Sequence, residues 1–247
     1  SFGITVVLAR ALGTDGYGVY AYVFALVSML AIPAEFGLPN LLVRETAKAF
    51  AKQEWGTIQG VWRWAGRITG ILTAVLILGA GTAVAIWGDQ FSRVQLLTMI
   101  WGLALVPLIA LGALRGAALR GLHKVIQGQL PEQVLLPGFF LLFILGATFV
   151  FSVGSITPAT AMAMQVAAAG LAFGIGAWLL WRATPAEVRG AKAVYDGQRW
   201  LSSTLPLAFI GGMFFINQRM SILILGLFVN SAQVGIYKVA DQMSVLV

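Results

Sequence analysis

The chain has no cysteine, a single histidine and very little charge. Without thiols there is no disulfide framework and no thiolate metal site. His123 sits beside Lys124 with no second imidazole to share a zinc ion, so it reads as a solvated loop side chain and no metal is expected. No Gly-x-x-x-x-Gly-Lys-[Ser/Thr] run is present, which excludes a P-loop nucleotide hydrolase. No Ser, His and Asp set is spaced to make a nucleophile, and no cofactor motif occurs. Charged residues make up only 10% of the chain, against about 25% in a soluble domain. What remains is apolar: 59% hydrophobic residues and a mean hydropathy of +0.88. The composition is that of an all-α, polytopic membrane protein.

Uncharged stretches locate the spans, judged against the roughly 20 residues that cross the hydrocarbon. They run over 17–34, 68–87, 94–114, 133–156 and 159–181, with another over 205–229 interrupted by Arg219. Residues 1–9 read as the tail of a first span, and 231–247 as the start of an eighth. The chain is therefore expected to be a fragment of a longer protein, with seven to eight helices in hand.

Twelve of the 16 basic residues fall in alternate connections. Arg44, Lys48, Lys52, Arg63 and Arg67 form one group, Arg115, Arg120 and Lys124 the next, and Arg182, Arg189, Lys192 and Arg199 the third. The intervening connections hold only Arg10 and Arg93. By the positive-inside rule the three basic groups are cytoplasmic. The net charge of +7 is this topological signal, and with no soluble basic domain it does not point to nucleic acid.

Residues 41–54 alternate apolar and basic positions, as expected of an amphipathic helix lying in the headgroup layer. Residues 182–199, with Pro185, Gly190 and Gly197, read as a cytoplasmic linker between a first lobe (1–181) and the start of a second (200–247). Pro131 and Pro158 are expected at first helical turns. Pro107, Pro137 and Pro206 are expected to kink their spans. The pairs Gly66/Gly70, Gly112/Gly116 and Gly170/Gly174 have the spacing that lets membrane helices approach closely. Glu132, just after Pro131, reads as a carboxylate favouring a helix N-terminus.

Charges in or beside a span are costly, by roughly 2.5–3.5 kcal/mol on insertion scales, so they face a cavity or a partner. Arg219 falls near the middle of its span and is a candidate cavity-lining, substrate-binding residue. Arg10 and Arg44 flank the second span at its two ends, as substrate contacts or interfacial anchors. Glu35, Lys238 and Asp241 are candidates for ion coupling; Lys238 and Asp241 share a helix face and could equally neutralise each other. In this set basic groups outnumber acidic ones. An arginine-lined lumen suits an anion, because guanidinium makes paired, charge-assisted bonds to phosphate oxygens.

Leu12-Gly13 followed by Gly18-Val19-Tyr20 recurs as Leu225-Gly226 followed by Gly235-Ile236-Tyr237, an echo expected of a two-lobed transporter. The run from Leu8 to Tyr20 resembles the first loop of the prokaryotic polysaccharide flippases. Phe36-Gly37-Leu38-Pro39-Asn40-Leu41-Leu42-Val43-Arg44-Glu45 resembles the end of their second helix. Leu114-Arg115-Gly116 and the segment from Val234 to Ala240 are similar too. These are O-antigen and teichoic-acid type translocases of the multidrug/oligosaccharidyl-lipid/polysaccharide exporter superfamily. The resemblance implies 12 to 14 helices in two six-helix lobes around a central cavity. It also implies roles for Arg10 and Arg44, since related flippases use arginines at the matching positions. Ser221 stands where many relatives carry an Asp, which argues against an ion-coupling role for the seventh helix.

The expected function is translocation of a polyprenyl-diphosphate-linked oligosaccharide across a bacterial or archaeal cytoplasmic (inner) membrane, without catalysis. Its expected partners are the lipid-linked oligosaccharide, membrane lipid, H⁺ or Na⁺ as coupling ion, and polysaccharide assembly enzymes. A drug or cation antiporter of the same superfamily, a membrane-embedded glycan polymerase or ligase, and a non-transporting assembly factor are the alternatives.

Overall fold

The computed structural model describes residues 2–88, 91–150, 156–206, 208–209, 213, 233 and 237. Arg219, Ser221, Lys238, Asp241 and the second copy of the repeat, Tyr237 apart, lie outside these residues. Among the described residues the chain forms helices and no strand. In order these are α1 (Phe2–Glu35), α2 (Leu38–Ala51), α3 (Trp55–Trp87), α4 (Arg93–Leu103), α5 (Leu105–Gly121) and α6 (Val125–Leu130). A π-helical turn (Pro131–Leu135), α7 (Leu136–Val150), α8 (Pro158–Ala183) and α9 (Ala186–Gly190) follow. Five stretches are long and apolar enough to cross a membrane: Gly3–Glu35, Trp55–Ile86, Arg93–Gly121, Val125–Thr148 and Pro158–Ala183. The protein is an all-α, multi-pass membrane protein.

All five complete spans preceding residue 182 have a helix, but several boundaries move. The connection expected between residues 9 and 17 shrinks to a single non-helical residue, Gly13, at φ 70° and ψ 176°. Only glycine takes that conformation without a Cβ penalty, so the chain turns there between two helical segments, bringing Thr5 against Tyr17. At its other end Phe36 and Gly37 both have positive φ and turn the chain into α2. Residues 55–67, expected as a cytoplasmic connection, are the first turns of α3. Arg115 and Arg120, expected in another, lie within α5.

Two expectations about proline hold. Pro158 opens α8 behind a Thr157–Thr160 capping box, which satisfies the first amides. Pro107 lies just past the break at Ala104 between α4 and α5. Pro131 does not begin a helix: it lies inside the continuous run from α6 to α7 and opens the π turn, where the Leu136 N–H donates to the Pro131 carbonyl. Pro137, two residues beyond that turn, has no N–H to offer the carbonyl four residues back, so the ordinary i→i−4 ladder is already broken here. Glu132 is consequently well inside the helix, and a dipole role at its start is overturned.

The apolar face of α2 is not left for the headgroup layer. Leu38, Leu41, Leu42, Thr46 and Ala49 are buried against α5 and α3, while Arg44 and Lys48 stay exposed. Trp62 of α3 donates its indole N–H to Thr46 Oγ1 at 2.9 Å. A second buried cluster joins α1, α5, α7 and α8 around Tyr20, Val106, Phe140, Ile144 and Met162. Tyr20 stacks between Phe24 and Phe140 at centroid distances of 6.0 and 6.2 Å. In lipid such packing supplies the cohesion that the hydrophobic effect supplies in water.

The glycine pairs divide. Among the described residues a Cβ at Gly66, Gly70, Gly170 or Gly174 would meet nothing, so those pairs mediate no close approach there. Gly112 and Gly116 do. A Cβ on Gly116 would come within 2.8 Å of the Gly128 carbonyl, and one on Gly112 within 3.1 Å of Glu132 Oε1.

The segment expected to be a linker is docked. A Cβ on Gly60 of α3 would run into the Val194 carbonyl, and the Val194 N–H donates to the Gly56 carbonyl at 3.0 Å. Val188 is buried with Ala49 and Ile58, and Trp200 is buried beside Trp64, 5.5 Å between ring centroids. Residues 188–200 therefore lie along the first half of α3.

Candidate functional site

The end of the bundle that carries the basic groups contains a cavity of about 540 Å³. It is walled by α1, α2, α5, the π turn and α8, and its polar lining comes from side chains far apart in sequence. α1 supplies Ser28 and Glu35, α2 supplies Asn40, α5 supplies Arg115 and Arg120, the π turn supplies Glu132, and α8 supplies Gln165. The rest of the wall is apolar, with Phe24, Leu105, Ile109 and Phe173 prominent.

Arg115 is the most constrained of these groups. Its side chain is 5% exposed. One terminal nitrogen donates to the backbone carbonyls of Ala172 (3.3 Å) and Phe173 (2.8 Å) on α8. The other reaches Glu132 Oε1 at 3.4 Å. The guanidinium carbon lies 5.2 Å from the centre of the Phe173 ring. Gly176 makes this socket: a Cβ there would collide with the guanidinium. A buried charge is tolerated only when paired and hydrogen-bonded, and Arg115 has a carboxylate, two carbonyls and an aromatic face.

Not every buried polar atom here is satisfied, and the Arg115 Nε itself has no hydrogen-bond partner among the described residues. The Nε of Arg120 and the Oε1 of Gln165 are buried with no hydrogen-bond partner among the described residues. Both residues line the cavity, so an unused cationic donor and an unused acceptor flank it. Buried polar atoms are almost always paired, and those that are not call for a ligand, a water or an ion. Glu132, 43% exposed at its side chain, presents a carboxylate to the cavity, and Glu35 a second.

Chemically, the site offers guanidinium and amide groups for an anionic, hydroxyl-rich ligand and two carboxylates for a proton or cation. No group of three or more His, Cys, Asp or Glu among the described residues could hold a metal ion.

The sequence of this chain matches the family described as polysaccharide biosynthesis protein over residues 1–247. The chain belongs to that family. As a polysaccharide biosynthesis protein it has a role of the flippase or exporter kind. No curated protein and no solved structure matches it.

Of the residues singled out in the sequence of this polysaccharide biosynthesis protein, Glu35 lines the cavity. Arg44 does not: it is on the exposed face of α2, half exposed, with its Nε donating to Glu45 Oε1 at 3.1 Å. Arg10 is exposed in the first segment of α1, at the end away from the basic groups. Arg219, Lys238 and Asp241 lie outside the described residues. Arg115, Arg120, Glu132 and Gln165 were not expected to meet. The one signal was Arg115 itself, a charge between Leu114 and the small residues Gly116-Ala117-Ala118, where a loop arginine would have polar neighbours.

Proposed function

We propose that this protein is a flippase for a polyprenyl-diphosphate-linked oligosaccharide, carrying its headgroup from the cytoplasmic to the outer leaflet of a bacterial or archaeal cytoplasmic membrane. Family membership supports the class of activity. The observation that carries the substrate is Arg120, a cation lining a cavity of about 540 Å³ at the basic, and hence cytoplasmic, end. Diphosphate oxygens would pair with its guanidinium, while Gln165 and Asn40 would meet sugar hydroxyls. Arg115, already bonded on two sides, shapes the wall and adds positive potential.

Arg44 and Arg10, at opposite ends of the second span, would meet the headgroup at loading and release, and Arg219 would face it across the lumen. An inside-negative potential drives an anion outward by about 2.3 kcal/mol per charge per 100 mV across the full field. Glu35 and Glu132 are the groups proposed to exchange the coupling proton or Na⁺, with Lys238 and Asp241 as the candidates beyond the described residues. Polysaccharide assembly enzymes would supply the lipid-linked substrate and consume it.

One observation favours a second reading. The described cavity holds two carboxylates beside its two guanidiniums, so its charge is more balanced than the sequence alone implied. A cation-coupled exporter of the same superfamily would use those carboxylates for its cargo. The deciding experiment places the full-length protein in liposomes with a fluorescent undecaprenyl-diphosphate sugar and follows quencher accessibility. A flippase loses transfer in Arg120→Gln while insertion persists. Transfer that is untouched by Arg120→Gln, with cation efflux abolished by Glu35→Gln, would establish the exporter instead.

A further inference from the structure

A second cavity, of about 520 Å³, lies toward the other end of the bundle. It separates the outer part of α3 from α1 and α4. Val23, Val27 and Leu30 of α1 form one wall, Ala83 and Val84 of α3 another, and Met99 of α4 a third, and every lining side chain is apolar. Val23 and Val27 are anchored by α4, where Gly102 has room for no Cβ against either. Among the described residues the opposite wall has no such anchor. From Ala74 to Gly88 no residue of α3 whose burial is described is fully buried, and Ile71, Val75, Leu78 and Ile86 are 61–70% exposed.

The surroundings identify the occupant. The cavity lies between three spans, it is not enclosed, and it is continuous with the exposed apolar faces of α3 and α4. An apolar gap of this size forfeits dispersion contacts on every wall and offers water no partner. At that depth the medium is hydrocarbon. Along α1 the gap extends about 10 Å, from Val23 to Leu30 at roughly 1.5 Å per residue.

Two hydrocarbon sources exist, and α1 separates them. Phe24, Ser28 and Ala31 face the polar cavity, whereas Val23, Val27 and Leu30 face the apolar one. A lipid whose headgroup sat in the polar cavity would need to pass its tail through α1 to reach this gap. A resident membrane lipid meets no such barrier. Phe91 lines the gap, and two residues on, at the start of α4, Arg93 exposes a cation at the level of the headgroups.

We propose that the gap between α1, α3 and α4 is a binding site for an acyl chain of a membrane phospholipid, which takes the place of direct packing between α1 and the outer part of α3.

The test uses the full-length protein in bilayers containing a phospholipid with a photoactivatable acyl chain, with labelled peptides mapped after illumination. Labelling is expected to concentrate on the α1 and α3 walls and to be lost in Ala83→Trp, which fills the gap. Leu142→Trp, at an exposed apolar position on α7, should leave that labelling unchanged. Should Ala83→Trp fail to insert, Ala80→Cys in this cysteine-free chain allows the gap to be blocked after folding with a lipophilic thiol reagent, with the same loss expected. Labelling spread evenly over all exposed apolar faces and indifferent to both blocks would overturn the proposal. So would displacement of the label by polyprenyl phosphate but not by unlabelled phospholipid.

Discussion

The two halves of α3 share one helix, the first carrying Arg63, Arg67 and three tryptophans and the second nearly all aliphatic, and they are held in opposite ways. In the first half Ile58, Gly60, Val61 and Ala65 are buried against α2, α5 and the returning linker. In the second half large aliphatic side chains point outward and an apolar gap replaces the neighbouring helix. In water the more apolar half would be the buried one. In a bilayer both surroundings are apolar, so size and shape decide: small residues accept a neighbouring backbone, and large ones face lipid.

That contrast is sharpest where a missing Cβ makes a socket, and the largest effect is expected at Gly176. Gly176→Ala should push the Arg115 guanidinium off the Ala172 and Phe173 carbonyls and leave a buried charge poorly paired, at a cost of about 3–5 kcal/mol. Reversible unfolding in bicelles measures it. Adding Arg115→Leu to Gly176→Ala should restore much of the loss, because the charge that lacked partners is gone.

A smaller effect is expected at Gly60, where Gly60→Ala overpacks the linker against α3. The cost should be about 1–3 kcal/mol, with faster protease cleavage between residues 191 and 195. Val188→Ala leaves the linker backbone in place but empties its anchor, for about 1–2 kcal/mol in the same unfolding measurement. The other half of the helix should hardly respond. Leu78→Ala, at a position 69% exposed, should stay within about 0.5 kcal/mol. A loss at Leu78 as large as that at Gly60 would erase the contrast.

Much of the fold was legible because a membrane imposes coarse rules. Uncharged runs found the five described spans, and basic residues found the end at which the linker and α2 gather. Glycine spacing was less informative: a four-residue repeat gives a face but not what that face meets, and among the described residues only Gly112/Gly116 of the three pairs meets a helix. The site was mostly hidden. An arginine near the end of an apolar run looks the same whether it snorkels to water or turns inward. What turns Arg115 inward is a carboxylate 17 positions away, shifted by a π turn, together with a glycine on α8. No local pattern records that conjunction. Glu35 was legible for the opposite reason, as an isolated carboxylate at the end of a long uncharged run.

The docked linker has one consequence for how the rest of the chain finds its place. A flexible tether of the same length would let its far end wander over roughly 20 Å, and whatever followed would have to search that volume. With Val188 and Trp200 seated on α2 and α3, the polypeptide leaves the bundle from a fixed address. Whatever follows Trp200 therefore starts from a known berth, and the effective concentration of any contact it makes with the bundle is set by the length of chain in between.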